Sequence, residues 1–139
     1  MNGLLLTMFI FVIIIGISLL IFIALTRRGT RKHLDQDKYR SRWLAITQNA
    51  GSTSQSWQFA IVSADKLLDS ALKERGISGN TMGERMKSGK AYFSNLDSVW
   101  RAHKLRNRIA HEDNVQVSKR QADEALKVFK RALTDLGAI

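Results

Sequence analysis

The side chains able to do chemistry gather in one stretch, Val99-Trp100-Arg101-Ala102-His103-Lys104-Leu105-Arg106-Asn107-Arg108-Ile109-Ala110-His111. An imidazole of near-neutral pKa moves a proton to or from an oxygen, and a guanidinium stabilises developing negative charge through paired N–H donors. At 100° per residue on a helix, Leu96, Val99, Trp100, His103, Arg106, Asn107 and Ala110 share one continuous face, with His111 at its edge. Polar groups therefore fall where a core is expected. Buried without partners they cost a few kcal/mol each, so they must either close a hydrogen-bonded network or stand at a cleft or subunit interface.

The elements that position this stretch are helical by pattern, and the chain contains no proline to interrupt them. Asp35 or Asp37 caps a first amphipathic helix with apolar residues Tyr39, Trp43, Ile46 and Ala50, and Gly51 stops it. Ser52-Thr53-Ser54-Gln55 reads as a capping box opening a second helix. Its stripe is Trp57, Ala60, Ile61, Ala64, Leu68 and Ala71, and Gly76 ends it. Between Gly76 and Gly89 a short helical turn is expected, with Thr81 and Glu84 pairing at its start and Met82 and Met86 facing inward. Gly89-Lys90 does not make a phosphate-binding P-loop: the spacing from Gly83 is one residue too long, Ala91 stands where Ser or Thr is needed, and no strand precedes it. Ser94-Asn95-Leu96-Asp97 caps the helix that carries Arg106 and His111. Ser118 and Gln121 open the last one, with Ala122, Ala125, Leu126, Phe129, Leu133 and Leu136 as its stripe and Gly137 as its stop. Four amphipathic helices with short connections predict an antiparallel four-helix bundle over residues 37–139.

Ahead of this domain, Leu4 to Leu25 is a run of 22 residues without a charge. As a helix it extends about 33 Å, against a hydrocarbon core of about 30 Å. A cleaved signal peptide fits less well, because a basic n-region and a small-x-small site before Arg27 are both missing and the run exceeds the usual h-region. Residues 1–26 therefore read as a transmembrane anchor and 27–36 as a basic juxtamembrane linker. Arg27, Arg28, Arg31 and Lys32 lie on the C-terminal flank only, which places the N-terminus outside and the C-terminal domain in the cytoplasm. The same charges suit anionic lipid headgroups.

The chain carries 22 basic against 12 acidic residues, a net charge of +10, and all of it rests on residues 27–139. Such a surface favours anionic partners: RNA, lipid headgroups or acidic proteins. With no cysteine, disulfides and thiolate metal sites are excluded, and His33, His103 and His111 are too few for a metal centre, so neither metal nor cofactor is expected.

Arg106-Asn107-Arg108-Ile109-Ala110-His111 resembles the R-N-x-x-x-H motif of the HEPN superfamily, late in the third long helix of a four-helix domain, where that family carries it. The resemblance covers roughly residues 37–137 and fixes three positions. It implies a small helical bundle that forms a homodimer, and it implies RNA binding or metal-independent RNA cleavage by the ribose 2′-hydroxyl. His111 would then serve as acid–base group, Arg106 as phosphorane stabiliser and Asn107 as orienting residue. Arg106 and His111 are about 140° apart on a regular helix, so a shared phosphate requires either a distortion near His111 or a second copy. That family also includes inert members on the same scaffold. A second reading therefore stays open, a non-enzymatic, membrane-anchored adaptor that dimerises or docks a protein partner. In it, His103, Asn107, His111 and Arg106 tie neighbouring helices through Asp65, Asp69 or backbone carbonyls. Leu105 and Ile109, an apolar pair on the far side of the same helix, point to cover by another helix or subunit.

Overall fold

The computed structural model describes residues 3–26 and 32–139. Among them are six α-helices, one 3₁₀ turn at Lys90–Tyr92, and no strand. The helices are α1 (Gly3–Thr26), α2 (Gln36–Gln48), α3 (Ser54–Glu74), α4 (Met82–Ser88), α5 (Leu96–His111) and α6 (Lys119–Asp135). The chain divides into two compact units, Met1–Arg31 and Lys32–Ile139.

The first unit holds α1, long and apolar enough to cross a bilayer. Residues Gly3–Ile23 are exposed all round. The hydroxyl of Thr7 donates to the Leu4 carbonyl at 2.8 Å, so this polar group is satisfied within the helix. Of the expected basic flank, Arg27, Arg28 and Arg31 lie outside the described residues, and Lys32 is exposed.

The second unit is built around α3, which packs against α2, α4, α5 and α6. Ala60, Ala64 and Ala71 on α3 and Ala122, Ala125 and Ala132 on α6 are all buried, and α3 packs against α6. Small residues on both sides let the two axes approach closely. Ile61, Leu68, Leu72, Tyr39, Met86, Phe129 and Leu133 fill the space around them and are inaccessible to solvent. At the ends of α3 and α6 the chain turns through Gly76 (φ +78°) and Gly137 (φ +71°). There Ile77 N–H donates to Leu72 and Ala138 N–H to Leu133, closing two Schellman caps that only a residue tolerant of positive φ permits.

Several local expectations shift. Asp35, not Asp37, caps α2 by accepting from the Lys38 amide. The capping box of α3 is Thr53 with Ser56, one residue later than Ser52 with Gln55. Leu34 is buried, so the domain begins inside what reads in the sequence as linker: a lone apolar residue among polar ones is drawn into the core. On α5 the buried face is rotated from the expected one. Ala110 is exposed, Ala102 is buried, and Leu105 and Ile109 pack against the core, because α6 covers that side within the same chain.

Candidate functional site

Helix α5 starts at Asn95, whose side chain accepts from the Ser98 amide, and runs unbroken to His111. Val99, Ala102 and His103 hold it against the core, while Arg106 and Asn107 are half-buried and His111 is exposed. The regular helix keeps Arg106 and His111 on different sides, and the distortion that would bring them together is absent from α5.

The polar groups of α5 converge on Asp65 of α3, itself buried. His103 Nδ1 lies 2.8 Å from Asp65 Oδ1, and Asn107 Nδ2 lies 3.3 Å from His103 Nε2. Arg106 Nη1 donates to Asn107 Oδ1 at 3.1 Å, and Arg106 Nε sits 3.2 Å from Asp65 Oδ2. With the histidine proton on Nδ1, the four residues form a closed ring. The guanidinium donates to the amide oxygen, the amide to the imidazole and the imidazole to the carboxylate, whose second oxygen faces the guanidinium. The last contact is charge–charge in character, because the buried Nε–H is not directed at an acceptor. Trp100 closes one side, its ring edge-to-face with His103 at 5.9 Å.

Of the sequence-predicted site residues, Arg106 and Asn107 are thus brought together, joined by His103 and Asp65. His111 stands apart: it enters no hydrogen bond or ion pair in this ring or elsewhere among the described residues. An imidazole with both nitrogens engaged and little exposure is poorly placed to exchange protons with a substrate. A carboxylate in contact with Arg106 competes with any incoming phosphate for the same charge.

A second polar cluster, one turn further along α3, escapes a motif search. Asp69 receives Arg85 through Nε at 2.8 Å and Nη2 at 2.7 Å, and Lys73 Nζ at 2.8 Å. Arg85 Nη1 also donates to the Gly79 carbonyl at 2.6 Å, and the whole residue is 5% exposed. Burial pushes the Asp69 carboxyl up, but hydrogen bonds from Lys73 and Arg85 outweigh it and hold the group below the usual carboxylate range. One signal for this lock is in the sequence: Met82, Arg85 and Met86 stand at i, i+3, i+4, so an arginine interrupts the apolar face of α4. Among the described residues, no three His, Cys, Asp or Glu side chains are placed to hold a metal ion.

Comparisons with protein-family models, with curated proteins and with solved structures find no match for this chain.

Proposed function

We propose that this chain is a single-pass membrane protein displaying an antiparallel four-helix, HEPN-like bundle in the cytoplasm, and that the bundle acts as a non-enzymatic docking or dimerisation module. In this reading His103 and Arg106, braced by Asn107, tie α5 to α3 through Asp65, and the motif is a structural element. The observation that carries it is the ring: the cation that a ribonuclease would turn toward phosphate is held by Asp65 within one subunit. The one-sided basic flank after α1 supports the orientation, with the N-terminus outside.

A second reading, a ribonuclease whose site is shared between two copies, is favoured by one feature, the exposed and unpartnered His111 at the end of α5. The two readings separate in one experiment on the full chain in nanodiscs of neutral lipid. Wild type, Arg106→Ala and His111→Ala are incubated with single-stranded RNA in chelator, and unfolding is followed on the same preparations. The docking module predicts no cleavage by wild type and destabilisation of Arg106→Ala by about 3 kcal/mol, because buried Asp65 loses its cation. Wild-type cleavage that disappears in both variants at unchanged melting temperature overturns it. The topology is checked separately: protection of the C-terminal domain from external protease in intact cells is expected, and its digestion refutes the orientation.

A further inference from the structure

Two hollows, of about 390 and 210 Å³, adjoin along the seam between α5 and α6 and share Ser98, Lys127 and Val128. Small side chains make them: Ala102 and Ala125 at the larger, Val99 and Ala132 at the smaller, with half-buried Leu105 and Val128 completing an apolar floor. Ala125 and Ala132 are seven residues apart, about 10.5 Å along the axis, so the hollows are spaced as the i and i+7 side chains of a helix laid in the seam. The walls carry cations that no carboxylate neutralises. Arg101 on α5 donates to the Ser98 hydroxyl at 2.8 Å and forms no ion pair among the described residues, and Lys127 on α6 forms neither hydrogen bond nor ion pair there. The carboxylates of the seam are already taken. Arg120 holds Glu124 at 3.2 Å, and Asp135 accepts from the amide and hydroxyl of Ser94 and pairs with Arg131 at 3.2 Å. A floor without an aromatic ring offers no platform for stacking bases. A second copy is disfavoured as well: a two-fold interface sets a patch against itself and would face Arg101 and Lys127 with their own duplicates, in a chain of net charge +10.

We infer that the α5–α6 seam is a docking groove for an amphipathic helix of an acidic protein. The helix seats apolar side chains at i and i+7 in the two hollows and turns its flanking carboxylates toward Arg101 and Lys127. This rests on the docking-module reading and identifies the partner by its chemistry. Neither Arg106 nor Asp65 lines the seam, so the ring stays closed while the partner is bound.

The test is fluorescence anisotropy of a labelled synthetic peptide, helical, with Leu at i, i+4, i+7 and i+11 and Glu on both flanks, titrated with the full chain in nanodiscs of neutral lipid at physiological salt. A second peptide carries Lys in place of Glu, and a third scrambles the leucines. Saturable binding of the Glu peptide alone is expected. Arg101→Glu with Lys127→Glu should weaken it about tenfold at unchanged melting temperature, since neither cation holds a carboxylate. Lys87→Glu with Lys90→Glu, the same change in charge on exposed residues outside the seam, should weaken it less than about twofold. Ser98→Trp, which fills the seam where the hollows join, should abolish it. Failure of the Glu peptide to bind wild type in the micromolar to millimolar range overturns the groove. So does equal binding of the scrambled peptide, or an equal loss in the two charge-reversed variants, either of which reduces binding to diffuse attraction. A wild-type dimer that Ser98→Trp dissociates in sedimentation assigns the seam to a second copy and overturns it too. The two failures are distinguishable: a chain that neither binds the peptide nor cleaves RNA loses the groove and keeps the docking module, whereas RNA cleavage removes the docking module.

Discussion

Asp65 and Asp69 sit one turn apart on α3, and each binds charged or polar side chains from a different neighbouring helix. Asp69 belongs to no motif, and it locks the short α4 onto α3 through a buried arginine. Asp65 belongs to the motif-bearing side and does much the same for α5. The difference lies in the partners. Asp69 holds two permanent cations, and its carboxyl is held below the usual range, whereas Asp65 holds an imidazole and an arginine that still reaches solvent, 27% exposed against 6% for Arg85. A structural lock and a motif thus share one construction, and the residue types of the motif do not by themselves signify turnover. What distinguishes the Asp65 ring is its accessible edge, at Arg106.

The largest effect expected from this pair of clusters is that of Asp69→Ala. It leaves Arg85 buried with only the Gly79 carbonyl as partner, and a stranded buried charge costs about 4 kcal/mol. Asp65→Ala should cost less, about 3 kcal/mol, because Arg106 relaxes toward water. Denaturant unfolding of both variants measures the order. A greater loss for Asp65→Ala than for Asp69→Ala would make the ring the principal lock of the domain.

Most of the helices were legible from apolar spacing and caps, because those signals are local. The box at Ser118 and Gln121, the Thr81 cap and the stops at Gly76 and Gly137 all depend on residues within one turn of each other, whereas α2 ends at Gln48, before the expected stop at Gly51 comes into play. The rotation of α5 was not legible. Which side of an amphipathic helix is covered depends on where α6 returns, and Leu105 and Ile109 look unpartnered until that helix is in place. The ring was half legible. The row of His103 and Asn107 follows from i, i+4 spacing, and Asp65 was one of two carboxylates available to them, but choosing it over Asp69 requires the register of α3 against α5. Arg85 took the other carboxylate, and its place on the apolar face of α4 was the overlooked signal.

A smaller effect follows from acidification. Asp69 has a folded-state carboxyl pKa below its ordinary value of 3.8, so its contribution to stability is complete above that value and is lost as the pH falls through the lower folded one. Glu74, whose carboxyl is lowered mainly by the hydrogen bond from Lys38 and then by that from Tyr39, acts in the same sense from its ordinary value of 4.5. Melting temperature should therefore fall between about pH 5 and pH 2, and less steeply for Asp69→Asn, which no longer carries the titrating group. A slope identical to that of wild type would remove Asp69 from the acid response. The alkaline limb has the opposite sign. Burial, then the hydrogen bond to Glu74, raise the Tyr39 hydroxyl above its ordinary 10.0, so the unfolded chain ionises first and stability declines above that pH. Tyr39→Phe should flatten that decline.

The smallest effect is expected at His111, and its smallness is informative. His103 and His111 lie two turns apart on α5, yet one is buried with both nitrogens bonded and the other is exposed in the last turn with no partner. His103→Ala removes the middle of the ring and strands Asp65 and Asn107, whereas His111→Ala removes only a side chain near the helix C-terminus. There a protonated imidazole gains a few tenths of a kcal/mol from the backbone dipoles, and substitutions away from the core stay within about 0.5 kcal/mol. Unfolding of His111→Ala should thus be indistinguishable from wild type. Repeating the measurement across a range of protein concentrations adds a control for association. A destabilisation above about 1 kcal/mol that grows with concentration would place His111 in an interface between copies. That is the arrangement in which a histidine of one chain meets the arginine of another, and it would return the shared-site ribonuclease to first place.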